Sequence, residues 1–154
     1  MMFPDINLLL YSVEEDNPFH ATAKAWLEAA FNSGTGVGLA WLVLVGFVRL
    51  STQSRVLRRK LTVTDSLAVM NDWIAHPASK IVQPGPAHGA LLGTLLIGAG
   101  TAGNLTNDAH LAVLALENNG TVGTFDKDFK RFPGLKIDLL KSPFLSPSFS
   151  PPLN

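Results

Sequence analysis

Asp126 and Asp128, in the run Thr124-Phe125-Asp126-Lys127-Asp128-Phe129, place two carboxylates one residue apart directly after a short apolar stretch. Like charges that close repel, and they are tolerated in solvent or with a cation or basic group between them. Asp5 stands between Pro4 and the apolar run Ile6–Leu10, whose only polar member is Asn7, and no Lys or Arg precedes Lys24. Burying an unpaired carboxylate is costly, so Asp5 requires a partner that its own segment does not supply. Asp108 opens a helical pattern, where backbone N–H groups and the helix dipole suit a carboxylate. Each acid also has a plain reading alone: Asp108 as an N-cap, Asp126-Lys127-Asp128 as a solvated turn. Read together, acids far apart in the chain can share one cation. Oxygen donors without cysteine or a histidine cluster favour Mg²⁺, or Mn²⁺ as a substitute, over Zn²⁺. His110 lies two residues past Asp108, about 200° round a helix, and points elsewhere. His20, His76 and His88 show no ligand spacing, and no Ser-His-Asp or Cys-His set is readable.

The elements that must position these acids alternate. A strand is expected over Phe3–Ile6 and a helix over Asn7–Val13. Asn17-Pro18, with proline at a first helical position, opens a second helix that Gly34 stops. A strand at Val37–Leu39 precedes an apolar helix over Ala40–Leu50. Thr64/Asp65 caps a helix over Ser66–Ala75, and Ile81–Gln83 forms a brief strand. A glycine-rich helix near Ala87–Ala99 is expected to pack in the interior. A helix over Asp108–Asn118 then leads, through Asn118-Asn119-Gly120, into strands Thr121–Phe125 and Leu135–Leu139. Strands alternating with helices predict an α/β sandwich with a mostly parallel sheet. In such sheets ligands bind at the carboxyl ends of the strands, where Asp5 and Asp126 fall.

The 154 residues suffice for one domain with a real core. Hydrophobic residues are 47% and charged residues 16%, which excludes a disordered chain. Lys+Arg and Asp+Glu are 12 each, so net charge identifies no partner class. The absence of cysteine excludes disulfides and fits a reducing, cytoplasmic setting. The N-terminus has no basic segment of the kind that begins a signal peptide. The uncharged stretch 81–107 is broken by prolines and glycines, and Val37–Val48 is shorter than the roughly 18–20 residues a membrane span needs, so no membrane role is expected. Residues 1–141 read as the domain, and 142–154 as a Pro/Ser-rich tail without charged side chains, loosely ordered or laid on the surface.

The segments "PDINLLLY", "WLVLVGFVRL" and "AGNLTNDAHLAVLALENNGTVGTFDKDFKRFPGL" resemble the PIN-domain ribonucleases and, more narrowly, the VapC toxins of bacterial type II toxin–antitoxin pairs. The resemblance covers about residues 1–140. It implies a three-layer α/β sandwich around an approximately five-stranded parallel sheet, with acids converging on Mg²⁺. The family's first acid falls on Asp5, its helix-start acid on Asp108 and its late acid on Asp126, with Asp128 beside it. Asp5, Asp108 and Asp126 are thereby the expected metal ligands, and all four aspartates the expected catalytic set. The family usually carries a glutamate three residues before an arginine in the helix after the second strand. Here that arginine is Arg49 and the matching position is Gly46.

The activity implied is endoribonucleolytic hydrolysis by metal-activated water, inhibited by a cognate antitoxin protein, in a chain expected to form a homodimer. Asn7 and Thr124 are candidates for orienting the carboxylates from behind. Arg49, Arg55, Arg58, Arg59 and Lys60 form one basic group, and Lys127, Lys130, Arg131 and Lys136 a second around the proposed site. Such groups would contact an RNA backbone without reading its sequence. The missing glutamate supports a competing reading, a PIN-like module with weak or absent catalysis that binds RNA or a partner. A phosphatase of the haloacid dehalogenase type would require an acid at position 7, which is asparagine.

Overall fold

Short apolar strands flanked by amphipathic helices dominate the sequence, and they assemble into one sheet. The structure, a computed structural model, describes residues 1–141. The elements are β1 (Met2–Pro4), α1 (Ile6–Val13), α2 (His20–Asn32), β2 (Val37–Leu39), α3 (Trp41–Ser51), α4 (Val63–Ala75), β3 (Ser79–Ile81), α5 (His88–Ala99), α6 (Leu105–Glu117), β4 (Thr121–Thr124), a 3₁₀ turn (Lys127–Arg131) and β5 (Lys136–Leu139). The five strands are all parallel, in the order β3-β2-β1-β4-β5. The chain builds outward from β1 in one direction through β2 and β3, then returns to add β4 and β5 on its other side. That reversal between β1 and β4 is the place where an open α/β sheet leaves a crevice at its carboxyl edge.

Successive strand residues point to opposite faces. Phe3 and its register partner Val122 enter a large core with Leu8, Leu9 and Leu10 of α1, Phe47 of α3 and the buried face of α6. Val37 and Leu39 enter a smaller core with Ala30 and Leu44, against Met70 and Trp73 of α4. Both faces are therefore covered, giving the expected three layers. Phe3 is fully buried, and it fits because glycines stand at the two neighbouring positions that meet its ring. A Cβ at Gly38 or Gly120 would stand 2.5 Å from its ring.

Several boundaries depart from the sequence reading. Asn17-Pro18 does not start α2. The Asn17 side chain accepts from Phe19 N–H at 2.9 Å, closing a separate turn, and regular helix begins at His20. The α4 cap is Thr62, whose hydroxyl accepts from Asp65 N–H at 3.1 Å. The third strand is Ser79–Ile81, displaced toward the N-terminus from the expected Ile81–Gln83. Helix α6 begins at Leu105, so Asp108 lies a turn inside it rather than at its cap. Helix α5 is not interior: only His88 and Leu95 are buried, and Ile97 is 83% exposed. Its apolar residues surround the axis, so composition marks no inward face. It packs mainly on α6. The tail from 142 lies outside the described residues.

Candidate active site

Asp5 follows β1 and caps α1. Its Oδ1 accepts from Ile6 N–H at 2.6 Å. Its Oδ2 accepts from the Thr124 hydroxyl at 2.9 Å, across the β1–β4 crevice. Thr124, the last residue of β4 and fully buried, also accepts from Asp126 N–H at 2.9 Å. Asp126 in turn caps the 3₁₀ turn, accepting from Asp128 N–H at 2.8 Å. One buried hydroxyl thus fixes the first acid relative to the late pair. Of the two residues expected to orient the carboxylates, Thr124 donates to Asp5, whereas Asn7 makes no hydrogen bond to a carboxylate among the described residues and lines a neighbouring hollow. In the run Asp126-Lys127-Asp128, one Asp126 oxygen caps the turn while the side chain also lines the cleft.

Asp108 reaches the same region from α6. It lines a cleft of about 340 Å³ with Asn104, Asp126, Asp128 and Arg131. Burial first, then the charges of Asp5, Asp126 and Asp128, raise the Asp108 carboxyl from 3.8 to about 7. Burial pushes Asp5 up to about 6, against the hydrogen bonds from Thr124 and Ile6 that favour its charged form. Burial, then the charges of Asp5 and Glu14, raise the Tyr11 phenol. The four acids therefore sense one another, and none has a basic partner: the carboxylate–base contact among the described residues is Glu117 with the His88 ring. Arg131, on the cleft rim, donates instead to the Ala99 carbonyl at 2.9 Å. Among the described residues no three acidic or histidine side chains stand close enough together to hold an ion as they are. The donor set is nevertheless oxygen-only, repulsive and uncompensated, which is the chemistry a hard divalent cation satisfies.

Gly46 packs against Ile6, the residue after Asp5. A Cβ there would meet Ile6 Cδ1 at 2.7 Å, beside Asp5. Ile6 fills the room that a side chain at 46 would take, and no glutamate replaces it. Glu14, 9% exposed, accepts from Arg58 N–H at 2.6 Å and from the Asn17 amide at 2.9 Å, tying the 52–62 loop to the end of α1. Glu117 accepts from His88 Nδ1 at 2.9 Å, and His88 Nε2 meets His110 Nδ1 at 2.9 Å. This carboxylate–histidine–histidine chain braces α5 on α6. Its members lie 22 and 29 residues apart, so no local pattern announces it. Among the basic candidates, Arg49, Arg55, Arg58, Arg59 and Lys60 are exposed, as are Lys127, Lys130 and Arg131. Lys136 does not belong to the second group. It starts β5, at the edge of the sheet opposite the acids, and donates to Asn119 at 2.8 Å.

An all-parallel sheet of this order, with acids that follow β1 and β4 and one from α6 near its switch point, defines an open α/β domain with an acidic cleft at its carboxyl edge. A profile of the PIN domain matches residues 2–135. The chain belongs to the PIN-domain family. Within it, the chain is 38% identical over 138 residues to ribonuclease VapC37 of Mycobacterium tuberculosis, covering 90% of this chain and 96% of that one. It is 39% identical over 136 residues to ribonuclease VapC33 of the same organism, covering 88% and 95%. Among solved structures, the fold is shared with VapBC2 from Rickettsia felis bound to a promoter DNA fragment (TM-score 0.63, 19% identity, 90% of this chain and 98% of that one). It is also shared with VapBC-1 from nontypeable Haemophilus influenzae (TM-score 0.60, 17% identity, 90% and 98%).

Proposed function

We propose that the protein is a Mg²⁺-dependent endoribonuclease of the VapC toxin type, hydrolysing RNA phosphodiesters and held inactive by a cognate antitoxin. The observation that carries the reading is the convergence of Asp5, Asp108, Asp126 and Asp128, uncompensated by any base, at the switch point of the sheet. Its curated relatives are named ribonucleases, and the solved neighbours are toxin–antitoxin complexes.

Asp5, Asp108 and Asp126 would hold the ion, with Mn²⁺ a substitute for Mg²⁺. When bound, the ion acidifies water, orients the phosphate and offsets negative charge developing in the transition state. The chain's own residues do the rest. Thr124 holds the Asp5 carboxylate in place, and Asp126 is set by its cap on the 3₁₀ turn. Asp128, exposed at the cleft, adds negative charge at the rim. Arg131 and Lys127 stand where a phosphate backbone would pass, and Arg49, Arg55, Arg58 and Arg59 offer further backbone contacts. Trp41 and Val45 on α3 and Ile97 on α5 are exposed apolar residues that an antitoxin or a second copy of the chain would cover.

The Gly46 position supports a second reading, a domain with weakened catalysis that acts by binding RNA or a partner. The two part on one assay: purified protein on structured RNA with Mg²⁺, with EDTA, and as Asp5→Asn. Cleavage that needs the ion and Asp5 supports the first. Tight RNA binding without cleavage supports the second.

A further inference from the structure

Beside the acid cleft lies a hollow of about 380 Å³ lined by Asn7, Tyr11, Phe19, Phe125, Asp126 and Lys127. Three aromatic rings form its wall. Tyr11 and Phe19 stack at 5.2 Å between centroids, and Phe125 stands 5.4 Å from Tyr11 and 5.0 Å from Phe19. Leu8, Leu9 and Leu10, next to Tyr11 in α1, are at most 1% exposed, yet Tyr11, Phe19 and Phe125 all keep open surface. Tyr11 and Phe125 thus pack on the margin of the core, each with part of its surface open. The rim is polar: the Asn7 amide, the Tyr11 hydroxyl and the Lys127 ammonium make no hydrogen bond among the described residues, and none is a buried orphan. Asp126 lines this hollow and the acid cleft alike, so an occupant of one is a single side chain away from the other.

We propose that this hollow is a subsite for one unpaired nucleobase of the substrate RNA, next to the bond that is cut. The assignment rests on the nuclease reading above. Single-stranded RNA is recognised by stacking splayed bases on aromatic side chains and by hydrogen bonds to their edges. The Phe19 and Phe125 rings supply the stacking surface. The Asn7 amide, which both donates and accepts, faces a base edge. Lys127 receives the adjoining phosphate. The hollow exceeds the volume of a base, and a paired base, held in its stack, cannot enter it.

The test uses oligoribonucleotides of a sequence the protein cleaves, each with one nucleotide made abasic, on wild type, Phe19→Leu and Asn7→Ala. For wild type, one abasic position beside the cut bond lowers kcat/KM by on the order of tenfold, the scale of one base–aromatic stack. Phe19→Leu lowers kcat/KM on intact RNA by a similar factor and loses no more at that abasic position, because the two changes remove one contact. Asn7→Ala, at a half-exposed site that leaves the core intact, shows the same non-additivity. Independent, multiplying losses in both variants, or no sensitive position at all, overturn the proposal. If wild type cleaves no RNA in Mg²⁺, the nuclease reading fails, and anisotropy binding of the same oligonucleotides still decides whether the base is held.

Discussion

Four carboxylates held together without a counter-ion should make the metal-free protein less stable than it would be without one of them. Asp108→Asn is the cleanest perturbation, because Asp108 makes no side-chain hydrogen bond among the described residues and asparagine is isosteric. Its carboxyl is held at about 7 instead of 3.8, by burial first and then by the other acids. At about 1.4 kcal/mol per tenfold change this corresponds to about 4 kcal/mol at face value. Asp108 is only half-buried, and solvent screening brings the figure to about 1–2 kcal/mol. For a chain of this size that is a rise in Tm of about 3–6 °C. The sign follows from proton linkage. Between 3.8 and about 7 the native state binds more protons at Asp108 than the unfolded state does. The stability linked to this group is thus complete below the unfolded value and is lost as pH rises through the folded one. Thermal unfolding in EDTA from pH 5 to 8 is the assay. Wild type should lose stability with rising pH, part of it from Asp5, and Asp108→Asn should flatten the decline and melt higher at pH 8. Saturating Mg²⁺ at about 100 times its Kd should then add about 2.7 kcal/mol to wild type and much less to the variant. A variant that melts lower than wild type in EDTA at pH 8, or that gains as much from Mg²⁺, refutes the reasoning.

Thr124→Val removes the donor to buried Asp5 and the acceptor for Asp126 N–H, and should cost about 1–3 kcal/mol in denaturant unfolding together with most activity. Gly46→Ala forces the Ile6 tip aside and should cost on the order of 1 kcal/mol, recovered by adding Ile6→Val, which removes the clashing methyl. Neutralising Arg55, Arg58 and Arg59 together should weaken RNA binding and flatten its dependence on salt; an unchanged slope places RNA elsewhere.

The acids were legible for a physical reason. Asp5 sits in an apolar run with no nearby base, and its burial at 6% exposure is what that pattern predicts. The parallel sheet followed from the alternation of short apolar strands with helices. The start of α6 did not, because the chain enters it through Gly100 and Gly103 at φ 74° and 47°, a lead-in that places Asn104 rather than Asp108 before the first turn. The outward position of α5 was hidden by an apolar composition with no preferred face. Lys136 was placed by strand direction: in a parallel sheet the first residue of β5 lies opposite the carboxyl edge, however near it stands to the acids in sequence. The aromatic hollow and the Glu117–His88–His110 chain depend on contacts between distant segments, which no spacing along one segment reveals.

If acids at the ends of β1 and β4 and in α6 share one hard cation, anomalous scattering from a Mn²⁺-soaked crystal will locate it. A peak is expected between Asp5, Asp108 and Asp126, with their carboxylates turned toward it, and is lost in Asp108→Asn. A Mn²⁺-saturated crystal with no peak there, or with the ion bound only elsewhere, would contradict it.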